Sequence, residues 1–583
     1  MPVSTACDAC KLRKVKCDMT EPCANCRISQ LCCAYTIIPR KRGRRVGKRT
    51  LAGQEVRRRP TPPRPEQLSE SLECQGQART STPLAPSPPG TLSLTYVQNV
   101  VDESAIGLGD AAAQIHGSLM ASIRSILPSD AVTDVIHKCL DMFVQYVFVM
   151  TPIIHEPTLR ASVSLFGPDS HPQSWALLQP ASYTQAPRAS PLKAFTLITA
   201  LCAAVTSVIP DELMAQRHSV SISFLTASRA MHRIYEDYDR EHPDSSSLVI
   251  RIWYSTALQN ITGCIGTSYH YLWEATLIAQ RLRLYEEDSV RNKATVESQL
   301  LRTSFWQLFS ADKASCAFEN RPYVLNELLF AGDLTLLERG ENDEPLLEAT
   351  KSFNQGSLES RLLAGFHLKR CLWSLAGDLV MDIKMYARRN SSRIQEPDLA
   401  HLTDSYLKFM GLADDLPPWL QYFNDDSGST TATNTEVLPH QKTCFFVQRN
   451  NLMTTFHCLK LIILQKCIEC NTLVIMGLEN QALPLAIKKI EIVYDFLQEL
   501  QMTPFVCIKV QGEPVVERIR RVGSILLELT ETVENDRIKA RSSALFKRIL
   551  DFLSKLDSKA SDTLHGVPGL SVTTQATLPL TSP

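Results

Sequence analysis

The sequence predicts a mostly α-helical protein in two parts, a small cysteine-held module at the N-terminus and a large all-α domain, joined by a disordered linker. Three observations carry this expectation. One cysteine pattern is written twice within the first 33 residues; a run rich in Pro, Ser, Thr and Gln follows from Pro60 to about Gly90; and from about Ala112 apolar residues recur at helical spacing. The expected divisions are residues 1–36 for the module, 37–59 for a basic arm, 60–111 for the linker, 112–556 for the helical domain and 557–583 for a disordered tail.

The module is built on Cys7, Cys10 and Cys17, then Cys23, Cys26 and Cys33. Each half has two cysteines separated by two residues and a third after six more, so each can offer three thiolates from a tight loop and a turn of helix. Tetrahedral zinc takes four ligands. Six thiolates fill eight positions around two zinc ions only if two of them bridge, so the arithmetic points to two metals sharing one cage. Cys32 adjoins Cys33, but only Cys33 repeats the gap between Cys10 and Cys17. A disulfide framework uses similar spacings. Against it stand the many lysines and arginines of the segment, the absence of a secretory signal before it, and the large cysteine-bearing chain after it. A redox or structural zinc site without DNA is the other competing reading.

The spacing, the core from Cys10 through Lys11, Leu12, Arg13, Lys14, Val15, Lys16 and Cys17 to Asp18, and Pro22 before the fourth cysteine resemble the fungal binuclear zinc-cluster transcription factors. That resemblance implies that Cys7 and Cys23 bridge two structural zinc ions and that Cys10, Cys17, Cys26 and Cys33 are terminal. It implies that Lys14, four residues after the second cysteine, reads a CGG-like triplet in the major groove of double-stranded DNA. It further implies a nuclear regulator of RNA polymerase II genes, with an activator expected although repressors share the family, and with the transcription machinery as partner.

Charge agrees with a polyanionic partner for the head. Residues 1 to 60 carry 15 Lys+Arg and 4 Asp+Glu, a balance of +11, and the rest of the 61 and 61 leaves 46 and 57, or −11. A short helix from Lys11 to Lys16 would aim its positive end at the thiolates and leave its far end for DNA. Lysine and arginine donating to guanine O6 and N7 form the commonest specific major-groove contact. Lys14 is therefore the candidate base reader, with Arg13, Lys11, Lys16 and Arg27 as phosphate contacts, while Leu12 and Val15 pack inward. Arg40, Lys41, Arg42, Arg44, Arg45, Lys48 and Arg49 put seven basic side chains in ten residues, which reads as a nuclear localisation signal, a backbone-tracking arm, or both.

In the linker, Leu92, Leu94, Val97, Val100 and Val101 do not sustain three heptads, so coiled-coil dimerisation is not supported, although a homodimer stays open. Beyond it, apolar positions from Val132 to Phe148 mark a helix ended by Pro152. Further helices are expected near Leu192–Val208, Ser219–Tyr238, Ser247–Thr262, Tyr269–Leu284, Ser298–Asn320, Ser357–Arg389, Asp398–Leu412, Phe446–Cys470, Leu483–Gln501 and Pro514–Glu534. Few strands are expected. The longest candidate membrane span, Met142–Ile154, is short and broken by Gln145, and the expectation is a soluble, intracellular chain without a membrane partner. Met150–Pro157, Tyr269–Ala275, Leu301–Phe309, Asp312-Lys313 and Arg321-Pro322 resemble the regulatory middle region of the same fungal factors, over about residues 115 to 540.

No phosphate loop, dinucleotide fingerprint, nucleophile elbow or His-Glu-x-x-His is present, so no enzyme activity is expected. Arg302, Trp306 and Asp312 read as packing and ion-pair residues, and Glu286, Glu287, Asp288, Glu341, Asp343 and Glu344 as solvated loop acids. Cys467 and Cys470, with His457 and Cys458 upstream, read as core rather than as a second metal site. The rival from another class is a zinc-stabilised protein-interaction or ligand-sensing regulator whose helical domain binds a small-molecule effector.

Overall fold

The computed structural model describes residues 17–18, 20, 23, 26, 94–167, 191–319, 324–348, 355–389, 396–421, 439–556 and 558, and the chain divides into two compact units, Met1–Pro89 and Gly90–Pro583. The expected linker from 60 to 93 and nearly all of the expected tail lie outside the described residues. The protein is mostly α-helical, with no strand among the described residues.

The second unit begins with α1 (Leu94–Ile126), α2 (Val132–Met142), α3 (Glu156–Ser162), α4 (Pro191–Val208), α5 (Arg217–Glu241), α6 (Ser245–Thr262), α7 (Ile265–Arg281) and α8 (Thr295–Glu319). It continues with α9 (Gln355–Arg389), α10 (Glu396–Gly411), α11 (Pro439–Glu469), α12 (Ala482–Gln501), α13 (Phe505–Lys509), α14 (Glu513–Thr532) and α15 (Asp536–Ser554). α1 starts at Leu94, well before the expected Ala112, and it buries Ala112, Leu119, Met120 and Ile123. After α2 the chain does not stay α-helical to Phe148 as expected, but widens into a π-helical turn, Phe143–Val147. That turn buries Phe143 edge-on against both Phe148 and Trp253.

α4 is the central helix. It is apolar nearly all round because it is enclosed, and Thr196, Thr199 and Thr206 satisfy their hydroxyls on the carbonyls of Leu192, Phe195 and Cys202 at 2.6–2.7 Å. By length and composition this helix, not Met142–Ile154, is the one among the described residues long and apolar enough to cross a membrane, and most of it is buried in the protein core. α6 shows how local sequence starts and stops a helix. Asp244 accepts from Ser247 N–H at 3.2 Å while Ser247 Oγ accepts from Asp244 N–H at 3.1 Å, and Gly263 ends the helix at φ +65°.

Two hydrophobic clusters divide this unit. The first gathers α1 to α8 around α4, and the second gathers α10 and α12 to α15. The long helices α9 and α11 join them: Leu358, Leu362 and Phe366 serve the first cluster and Leu372, Leu379 and Ile383 the second, while Cys444 and Val447 serve the first and Leu459, Ile463 and Cys467 the second. Ser558, expected in the tail, is buried and donates to Glu513 at 2.6 Å.

Buried ion pairs link elements that sequence alone leaves far apart. Asp239, fully buried, accepts from Ser247 Oγ at 2.6 Å and Arg251 Nη1 at 2.7 Å, and lies 3.3 Å from Lys193. Arg302 pairs with Glu287 at 2.6 Å and Asp343 at 3.3 Å, Trp306 donates to the Leu337 carbonyl at 3.0 Å, and Asp312 accepts from Val324 and Leu325 N–H. These three residues therefore pack and pair as expected. Glu287 and Asp343 do not behave as solvated loop acids, because Arg302 draws both out of solvent and the N–H groups of Leu337 and Gly340 satisfy their remaining oxygens.

Candidate metal centre

In the first unit the described residues are Cys17, Asp18, Thr20, Cys23 and Cys26. Cys17, Cys23 and Cys26 are buried. The sulfurs of Cys17 and Cys23 and a carboxylate oxygen of Asp18 lie within 4.8 Å of one another. Two thiolates on one tetrahedral zinc stand roughly 3.8 Å apart, from Zn–S bonds of about 2.3 Å, so the spacing fits a shared metal.

The local backbone supports the sulfurs. Cys26, in a helical conformation, turns its N–H onto Cys23 Sγ at 3.4 Å, a bond that favours thiolate over thiol. Asp18 Oδ1 accepts from Thr20 N–H at 3.4 Å, which tightens the turn after Cys17. Asp18 is exposed. The Asp18 carboxylate stands beside the Cys17 and Cys23 sulfurs.

Cys17, Cys23 and Cys26, three of the six expected ligands, are thus among the described residues, and the sulfurs of Cys17 and Cys23 are brought together across the two halves of the repeat. Cys7, Cys10 and Cys33, the DNA-contact candidates Lys11, Arg13, Lys14, Lys16 and Arg27, and the basic run from Arg40 to Arg49 lie outside the described residues. The proximity of Asp18 was not read from the sequence, although its position directly after the third cysteine was visible there.

The pair Cys467 and Cys470 does not join His457 and Cys458. Nine to thirteen helical residues separate them, roughly 13–20 Å at 1.5 Å per residue. Burial pushes the thiol pKa of Cys458 up to about 12 and that of Cys467 to about 11, and brings His457 down to about 3, all favouring neutral core side chains.

A comparison with curated proteins finds no match. Residues 5–42 match the family model of the fungal Zn(2)-Cys(6) binuclear cluster domain, a span that holds both cysteine triplets and the first three residues of the basic run. With the buried thiols of Cys17, Cys23 and Cys26, the match makes this N-terminal segment a zinc-binding, DNA-binding module of a transcription regulator.

Proposed function

We propose that the chain is a nuclear, sequence-specific regulator of RNA polymerase II genes that acts as an activator. Two structural zinc ions hold the head, with Cys7 and Cys23 bridging and Cys10, Cys17, Cys26 and Cys33 terminal. Lys14 reads a CGG-like triplet, Arg13, Lys11, Lys16 and Arg27 hold phosphates, and the run from Arg40 to Arg49 directs nuclear entry and tracks the DNA backbone. The helical unit is a regulatory middle region and carries no catalytic role.

The observation that carries this reading is the doubled cysteine triplet within the matched segment, with three of its cysteines buried. Zinc supplies the fold energy there: it crosslinks two short segments and so fixes the base-reading lysine. Phosphate contacts give affinity that falls with salt, and base contacts give sequence choice.

Selection of the full-length protein against a duplex library, at two salt concentrations, tests it. Enrichment of a GC-rich triplet, relaxed by Lys14→Ala, supports the reading. Salt-sensitive binding with no sequence preference in wild type would overturn base reading by the head and leave a basic zinc-held tether.

A further inference from the structure

Where the two hydrophobic clusters of the helical unit meet, the protein forms an open cavity of about 640 Å³, within the range of about 300–1,000 Å³ usual for small-molecule sites. α6, α7, α8, α9, α11 and α14 all contribute to its wall. Trp253, Phe318 and Trp373 supply broad apolar faces, and Ser268, Ser310 and Gln307 supply polar positions.

The charges on this wall do not cancel. Its two carboxylates are both paired: Glu513 accepts from Ser558 Oγ and lies 3.4 Å from Arg520, a cation of the same wall, and Glu517 lies 3.4 Å from Arg521. Two cations remain. Arg518 is 3 % exposed and is anchored only through Nη2, which donates to Gln511 Oε1 at 3.0 Å. Its Nε is sealed in without a partner, and no carboxylate pairs with the guanidinium among the described residues. Lys369 has no hydrogen-bond or ion-pair partner among the described residues, and its ammonium is not sealed in, so it opens to the cavity. Burial, and next the Arg518 guanidinium, bring Lys369 down to about 8; burial brings Arg518 down to about 10.

A buried guanidinium and a half-buried ammonium on one wall, without an anion, cost folding free energy. A cleft with aromatic walls, an anchored guanidinium and an accessible ammonium is suited to a carboxylate or phosphate carried on an apolar body. We propose that this cavity is a binding site for a small organic anion, its charged group held between Lys369 and Arg518 and its apolar body against Trp253, Phe318 and Trp373. The site belongs to the helical unit alone and stands independently of how the head reads DNA.

Isothermal titration of the full-length protein with 2-naphthoate, 2-naphthyl phosphate and the neutral 2-naphthamide, alongside inorganic phosphate, tests it. One organic anion binds saturably at one per chain, at least tenfold tighter than 2-naphthamide and inorganic phosphate, and the better of the two distinguishes carboxylate from phosphate. Lys369→Met weakens that binding at least tenfold, Lys369→Arg retains it, and Ala314→Phe, which fills the cavity and keeps both charges, blocks it. Thermal melts without ligand provide the independent readout: Lys369→Met melts no lower than wild type, since the substitution removes an uncompensated charge. Failure of both organic anions to bind, equal binding by Lys369→Met, or a ligand-free melting temperature several degrees lower in that variant would each overturn the proposal.

Discussion

In the N-terminal unit, the buried residues Cys17, Cys23 and Cys26 belong to the segment matched to a zinc-cluster domain; in the helical unit, residues such as Phe305, Leu459 and Ile519 are buried by two clusters of apolar side chains that draw on nearly every helix. The first arrangement is local in sequence and depends on deprotonated sulfur; the second is distributed and depends on area removed from water. One ligand lost from the head removes its organising centre. One side chain lost from the body removes a fraction of a large sum.

The sharpest way to separate the two is therefore Cys23→Ser. Zinc content of the head should fall and affinity for the selected duplex should drop by at least about 100-fold, while the thermal transition of the helical unit stays in place. A change within the body should do the reverse. Burial works to raise the Asp239 pKa, but hydrogen bonds and charge from His232, Arg251 and Ser247 hold it well below the usual carboxylate range. Asp239→Ala takes one of two carboxylate partners from Arg251, which is 1 % exposed and keeps Glu274 at 3.2 Å, and also takes a partner from Lys193 and Ser247; it should cost about 3–5 kcal/mol in urea unfolding with zinc content unchanged. A carboxylate with a lowered folded pKa stabilises fully above its unfolded value and less as pH falls. The wild-type body should accordingly lose this share of its stability below about pH 4, and Asp239→Ala should show a flatter acid limb.

What could be read from sequence follows the same division. Metal ligands are set by spacing along one short segment, so the doubled cysteine triplet was legible before any fold was known. Long helices were legible too, because α8, α9 and α12 keep an apolar stripe at the helical period; α15 was not named, since Leu545 and Ile549 stand among charged residues. Contacts between distant residues were not legible. Glu287 and Asp343 look like surface acids until Arg302 is folded between them, and Lys369 and Arg518 come together only across packed helices. The π-helical turn at Phe143–Val147 was hidden because its apolar residues also suit an α-helix.

Smaller effects sharpen the comparison further. Lys14→Ala should leave zinc content and both unfolding transitions unchanged and remove about 1–3 kcal/mol of discrimination at one base pair, read from competition binding with single-substituted duplexes. Smallest of all, Lys408→Ala on α10 should change body stability by no more than about 0.5 kcal/mol, because Lys408 and Asp404 pair at 2.8 Å with both side chains more than half exposed.

The central claim is that metal organises the head for DNA while the body folds without it. The most direct measurement is duplex binding by the full-length protein before zinc removal, after it and after zinc is restored, with the body's thermal transition followed in the same samples. The account predicts that sequence-selective binding disappears and returns with zinc while the body's melting temperature does not move. Selective binding that survives complete zinc removal, or a body that melts when zinc leaves, would contradict it.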